Sequence, residues 1–302
     1  MNRVISFGES LLDIVYQPDK TVYVIPGGSI LNASVSLARS GIQVELMTEY
    51  AHDGPGKIVL DFLKSENIGV EFSCEYENTK TSLAFAILDE SAKASYTFFK
   101  EMPVKRFLRQ LPEFDSNTLF LFGSFSAINE DLAQTVEDIL VKAKHAGSLI
   151  YYDPNIRKTA TKIDHLTLNK IFRNFSFANI IRGSDEDFEA IFDTSDIHFV
   201  WNKLQTPDCK LLIITKGSKS LEVKNDKFHL IYEISTLQIV STIGAGDSFN
   251  AGFISALFHL TELSKMVSFD KKTEIDYCVK NAIRFASVVC ESKINYIPKD
   301  FV

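Results

Sequence analysis

Short apolar runs alternate with amphipathic stretches of helical length along almost the whole chain. Val4–Phe7 is an apolar strand that ends at Gly8-Glu9. From Val15 to Ile25 the residues alternate about a polar turn at Gln17–Thr21, which predicts a β-hairpin. Gly27-Gly28-Ser29 then leads into helical periodicity over Ile30–Ser40, with Gly41 as the C-terminal stop. Val44–Thr48 predicts a strand, Asp53 an N-cap and Pro55–Ser65 the helix behind it. Strand-like runs follow near Glu71–Glu75, Ser82–Leu88 and Ser95–Lys100, separated by polar turns. After these, strands at Leu119–Phe122, Leu149–Tyr152, Asn179–Ile181 and Leu211–Thr215 alternate with helices. Those helices fall at Glu130–Ala146, Leu166–Phe175, Glu186–Phe192 and Phe199–Leu204. Short strands reach Ile239, and long helices over Asp247–His259 and Glu274–Cys290 close the chain.

Alternation on this scale predicts an α/β fold with a mostly parallel sheet covered on both faces. Such sheets bind ligands beyond the C-terminal ends of their strands, where the glycine turns of this chain fall. The early hairpin and the Glu71–Lys100 strands interrupt the pattern. They predict a small separate sheet, about 14–26 and 71–101, acting as a lid or a dimer surface within one domain spanning 1–302.

The chain has 302 residues, 45% hydrophobic and 24% charged, as expected of a globular protein with a large core. Its formal charge of −7 argues against nucleic acid or an anionic membrane as the main partner. An acidic protein that binds phosphate must concentrate positive potential locally or borrow it from a metal ion. Cys74, Cys209, Cys278 and Cys290 form no Cys-x-x-Cys, and the histidines show no metal spacing. The apolar run after Met1-Asn2-Arg3 is too short for a signal sequence, so a cytoplasmic enzyme is expected.

The most informative stretch runs from Ser241 to Ile254. Here Gly244-Ala245-Gly246 meets an apolar helical run with Asp247 at the join. Small residues let the backbone approach a ligand, and a helix N-terminus offers unpaired N–H groups to an anion. A carboxylate repels phosphate, so Asp247 reads as a general base that takes a proton from an attacking hydroxyl. The same pattern also suits an ordinary tight turn with an acid on the helix dipole. No Gly-x-x-x-x-Gly-Lys-Ser/Thr is present, and Phe249 stands where Gly-x-Gly-x-x-Gly needs its third glycine.

Together these features resemble the ribokinase-like (PfkB) carbohydrate kinase family, most closely its fructokinases. The C-terminal signature is Gly244-Ala245-Gly246-Asp247, and Gly27-Gly28, Asn32, Gly41, Asp53 and Gly56 match the N-terminal one. Phe7-Gly8-Glu9-Ser10-Leu11-Leu12-Asp13, Thr81–Phe85 leading to Phe98-Phe99-Lys100, and Asp153-Pro154-Asn155-Ile156-Arg157 are similar to fructokinase-type members.

The resemblance implies a three-layer α/β/α fold with a β lid, and ATP-dependent phosphorylation of a small sugar, most like fructose. Asp247 would be the base, with backbone N–H groups of Ala245, Gly246 and Asp247 as the anion hole. Asp13, Gly27, Gly28 and Asn32 would contact sugar hydroxyls. The family's lid supplies an apolar wall, for which Phe98 and Tyr96 are available, but both read better as structural residues of a β face. Arg157 would face the phosphates, although a surface ion pair fits it as well. Ser184 and Asp187 stand where the family has Asn-x-x-Glu, which organises magnesium through water; Ser-x-x-Asp is equally a capping box. Thr215, Gly217 and Ser218 would lie near the ATP ribose and phosphates, and Ser287 near adenine. Relatives commonly have aspartate, a potassium ligand, where Ser241 stands, so potassium dependence is not carried over. Kinases of ribose, 2-keto-3-deoxygluconate or nucleosides share these motifs, and a sugar-binding regulator without turnover is the alternative of another class. The expected partners are a sugar, Mg²⁺ and ATP, with a homodimer formed through the lid.

Overall fold

The computed structural model describes all residues except 91–93, 102, 104–105, 107–109, 157–162, 205, 207, 236–237, 265–267 and 302. The first part of the chain forms β1 (Arg3–Phe7), β2 (Leu11–Tyr16), β3 (Val22–Gly27), α1 (Ser29–Arg39), β4 (Val44–Met47), β5 (Glu49–Ala51) and α2 (Gly54–Ser65). Next come β6 (Cys74–Tyr76), β7 (Lys80–Leu88), β8 (Ala94–Glu101), β9 (Thr118–Gly123), α3 (Ser124–Ile128), α4 (Ala133–His145) and β10 (Leu149–Asp153). The remainder gives α5 (His165–Phe177), β11 (Ile180–Ser184), α6 (Asp185–Phe192), α7 (Ile197–Lys203) and β12 (Leu211–Lys216). It ends with β13 (Ser220–Lys224), β14 (His229–Glu233), α8 (Ala245–Ser264) and α9 (Lys272–Cys290).

The central sheet has eight strands in the order β14-β13-β12-β11-β10-β9-β1-β4. From β4 to β12 they are parallel, and β13 and β14 extend one edge antiparallel. Because strand side chains alternate between faces, the parallel strands feed separate cores. Val4, Leu119, Leu121, Tyr151 and Ile213 face the core closed by α1, α2, α8 and α9. Ile5, Phe120, Phe122, Tyr152 and Ile214 face the one closed by α4 to α7. Phe122 stacks on Phe120 at 5.2 Å and on Tyr152 at 4.6 Å, which ties β9 to β10. Burying each such side chain contributes about 1.5–3 kcal/mol. The result is the α/β/α layering expected from the alternation.

A four-stranded sheet, β3-β2-β7-β8, stands apart from the central one. Its register puts Ile25, Asp13, Ala84 and Phe98 in one cross-strand row. Tyr16, Ile14 and Phe85 belong to the opposite face, with the exposed Val22, Val24, Ile87 and Phe99.

Some expectations are corrected. The run near Glu71–Glu75 does not join this sheet: Cys74–Tyr76 pairs with Glu49–Ala51 in a two-stranded sheet. Tyr76 Oη is held there by buried Glu49. The penultimate helix starts at Ala245, not Asp247, and continues to Ser264. Helix α3 had no periodicity to announce it. Among the described residues no helix is long and apolar enough to cross a membrane.

Candidate active site

Helices α1 and α8 meet at the C-terminal edge of the parallel strands. Gly28 caps α1 at φ 117°, a conformation that side chains strongly disfavour. The first turn of α1 thereby presents Ser29 and Asn32 to Asp247. Ser29 Oγ donates to Asp247 Oδ1 at 2.7 Å, and Asn32 Nδ2 donates to Oδ2 at 2.8 Å. Asp247 is 8% exposed, so it is held in the wall of the site and still reachable. Asn32 Oδ1 is buried without a hydrogen-bond partner. An unsatisfied buried acceptor costs about 1–3 kcal/mol and calls for a ligand or water that donates to it.

Asp13 enters from β2 of the small sheet and is buried. A Cβ on Gly27 would overlap its Oδ2, and one on Gly28 would overlap the carbonyl oxygen of Glu9. The paired glycines therefore let α1 start directly against Asp13 and the end of β1. Asn295, in the segment after α9, donates from Nδ2 to Asp13 Oδ2 at 3.0 Å.

Gly244 turns the chain into α8 at φ 79°, with its Cα packed on the backbone of Asn295. The first-turn N–H groups of α8 emerge there. Beneath that turn lies Arg182. A Cβ on Gly246 would sit 2.9 Å from Arg182 Nη1 and 3.0 Å from Nη2. Arg182 Nη1 pairs with Asp153 Oδ2 at 2.9 Å, and Nη2 donates to Thr215 Oγ1 at 2.7 Å. Asn250 Nδ2, one turn beyond Asp247, donates to the same Asp153 oxygen at 2.5 Å, while its Oδ1 accepts from Tyr151 Oη at 3.0 Å. Burial, the largest single influence, lowers the affinity of Arg182 for its proton, but Asp153, Tyr151 and Asp187 together outweigh it and raise the pKa, so the guanidinium stays charged. A buried cation is thus fixed against the anion turn by the ends of β10, β11 and β12.

Ser184 and Asp187 form a capping box at the start of α6. Asp187 Oδ2 accepts from Ser184 N and Oγ at 2.6 and 2.7 Å, and Oδ1 accepts from Ile156 N at 2.6 Å. Burial, and then the charge of Asp153, raise its pKa. Among the described residues no group of three or more His, Cys, Asp or Glu is arranged to hold a metal ion. Ser241 is buried, and its Oγ accepts from Ile243 N at 3.2 Å.

The structure therefore brings Asp13, Gly27, Gly28, Asn32 and Gly244 to Asp247 together, and joins Thr215 to Gly246 through Arg182. Gly217 and Ser218 form the exposed turn between β12 and β13, and Ser287 is half-buried on α9; none of them takes part in the bonds above. Arg157 lies outside the described residues. Reading the sequence missed Ser29, Arg182, Asn250 and Asn295. A charge at the end of the apolar run Ile180-Ile181 was the available signal for Arg182, since a buried strand carries a cation only when it is paired.

Known proteins resemble this chain over most of its length. The fructokinase of Rhizobium leguminosarum bv. trifolii is 29% identical over 262 residues, covering 84% of this chain and 79% of that one. Probable fructokinase-3 of Arabidopsis thaliana is 27% identical over 303 residues, covering 94% and 83%. A fructokinase double mutant from Vibrio cholerae O395, solved with fructose, ADP and potassium, matches with a TM-score of 0.85 at 21% identity, over 98% of this chain and 94% of that chain. Aminoimidazole riboside kinase from Salmonella enterica, with its riboside and an ATP analogue, matches at 0.84 and 18% identity, over 99% and 98%. The fold is ribokinase-like. The model of pfkB family carbohydrate kinases matches residues 1–299, and the chain belongs to that family of ATP-dependent carbohydrate kinases, with a fructokinase-like sequence.

Proposed function

We propose that this kinase transfers the γ-phosphoryl group of ATP to a hydroxyl of fructose, with Asp247 as general base. The observation that carries this reading is the pairing of Asp247 with Asn32, whose Oδ1 remains buried and unpartnered. A sugar hydroxyl can donate to that oxygen while a neighbouring hydroxyl reaches Asp247. As the sugar oxygen forms its bond to the γ-phosphorus, its proton passes to Asp247, and the bond to the β–γ bridging oxygen breaks to release ADP. Asp13, on the small sheet, takes further hydroxyls.

Backbone N–H groups of Ala245, Gly246 and Asp247 receive the phosphoryl oxygens, and Arg182 beneath Gly246 supplies fixed positive charge. Thr215, Gly217, Ser218 and Ser287 are assigned to the nucleotide side, with Arg157 toward the phosphates. A magnesium ion bound with the nucleotide would supply charge neutralisation for the transferring group. Both oxygens of Asp187 already accept hydrogen bonds, so Asp187 is the residue that would hold such an ion, through water and not directly. The small sheet serves as the lid, and its exposed Val22, Val24, Ile87 and Phe99 support a homodimer formed sheet to sheet, which sedimentation velocity tests.

A coupled assay of ADP release across fructose, ribose, 2-keto-3-deoxygluconate and a nucleoside tests the substrate. The expected result is the highest kcat/KM with fructose. Higher kcat/KM on another member of the panel would replace the substrate, and saturable sugar binding without any turnover would replace the kinase reading itself.

A further inference from the structure

Asn295 lies in neither glycine motif, yet it touches both halves of the site. It is buried, and its Nδ2 donates to Asp13 Oδ2 at 3.0 Å across 282 residues of sequence. Its own backbone backs against Gly244 so closely that a Cβ there would overlap its carbonyl oxygen. On the other side of Asp13, a Cβ on Gly27 would overlap the same Oδ2. One oxygen of Asp13 is thus gripped between an amide donor and a glycine, which sets the plane of the carboxylate.

The segment carrying Asn295 is itself anchored to α1. Arg39 stacks over the Tyr296 ring at 4.7 Å and donates from Nη1 to the carbonyl of Ile297 at 2.7 Å. Ile297 N donates to Ser36 Oγ at 3.3 Å. The donor to Asp13 is therefore held rigidly by the helix that also carries Asn32.

We propose that Asn295 is a positioning residue for sugar recognition: it fixes the Asp13 carboxyl group in the orientation that reads the sugar hydroxyls, and ties that orientation to the Gly244 turn. An amide donor favours the charged form of a carboxylate, and a preset acceptor loses less freedom when a hydroxyl binds. The proposal rests on the reading of Asp13 as a sugar contact.

The test is steady-state kinetics of Asn295→Leu, Asn295→Asp and Asp13→Asn with D-fructose and ATP, with circular dichroism to follow folding. Asn295→Leu should raise KM for fructose about 10- to 100-fold, the worth of a hydrogen bond to a charged group, and leave KM for ATP unchanged. In Asn295→Asp, two adjacent carboxyls share one proton, and the protonated partner donates as the amide did. Fructose kcat/KM in that variant should fall as pH rises through the titration of the pair, a limb absent from the parent enzyme.

The neighbours facing Asp13 do not supply such a limb. Tyr23 on β3 has its pKa raised by burial and then by Asp13, and Tyr296 beside Asn295 by burial and then by Glu66 ahead of Asp13. Asp247 is held by α1, and Lys293 of the same segment turns to Gln17. Fructose and ATP KM values rising alike in Asn295→Leu, or neither rising, would overturn the proposal, as would a flat pH profile in Asn295→Asp. If Asp13→Asn leaves fructose KM unchanged, the sugar-contact reading of Asp13 itself fails; if it raises KM and Asn295→Leu does not, only the positioning role fails.

Discussion

Asn32 Nδ2 and Asp247 Oδ2 lie 2.8 Å apart although 215 residues separate them in the chain. The bond joins the first turns of α1 and α8, so the residue that orients the base also presents the unpaired acceptor. One substitution should then disturb both functions. Asn32→Leu is expected to raise fructose KM and lower kcat together, with a combined loss of roughly 100-fold or more in kcat/KM, measured by initial rates.

Arg182 is 7% exposed and is paired with fully buried Asp153. Removing one partner of a buried pair leaves the other charge uncompensated. Arg182→Met should therefore cost about 3–5 kcal/mol in urea unfolding and raise KM for ATP. Arg182→Lys keeps the charge but not the fork to both Asp153 and Thr215, so it should recover stability in part. An Arg182→Met enzyme with unchanged stability and ATP affinity would remove the cation from beneath the anion turn.

Much of this was legible because period and motif carry physical constraints. Strands from Val4–Phe7 to Leu211–Thr215 are apolar runs buried on both faces; α2, α5 and α9 bury one stripe each, while α1 is buried all round from Ile30 to Leu37. The Gly-Gly and Gly-Ala-Gly turns announced themselves because no other residue type permits those contacts. Helix α8 was read short because it is apolar nearly all round and lacks a periodic edge. Arg182 and Asn295 escaped for a different reason. Their roles arise from tertiary neighbours 29 and 282 residues away: the charge after Ile180-Ile181 hints that Arg182 is paired but not with what, and nothing local marks Asn295. The pairing of Cys74–Tyr76 with Glu49–Ala51 is likewise set by where the chain returns.

Arg39 grips Glu66 with two 2.8 Å bonds, which locks the end of α1 to the C-cap of α2. The Arg39 side chain, outweighing burial, lowers the pKa of Glu66, and Lys299 adds to this. A carboxylate with a depressed folded-state pKa stabilises the fold above its ordinary value of 4.5, and that stability is lost as pH falls through the folded value. Thermal melts should show a midpoint that drops on acidification through this range, with a shallower acid slope in Glu66→Gln. Identical slopes would mean that other groups control acid unfolding.

Ser241 puts a neutral hydroxyl, occupied by Ile243 N, at a buried position beside the anion turn. Turnover is expected to be the same in potassium and in sodium salts at matched ionic strength. Ser241→Asp should introduce a potassium preference, read as the ratio of the two rates. A parent enzyme stimulated severalfold by potassium would show that backbone carbonyls suffice.

The most direct test of the account is Asp247→Asn, which keeps the size of the side chain and can still bond Ser29 and Asn32. Single-turnover phosphorylation of fructose should slow by about 10²–10⁴-fold, the usual worth of general-base catalysis, with the ATP dissociation constant by calorimetry unchanged. A variant that retains near-normal turnover would contradict the assignment of Asp247 as the base.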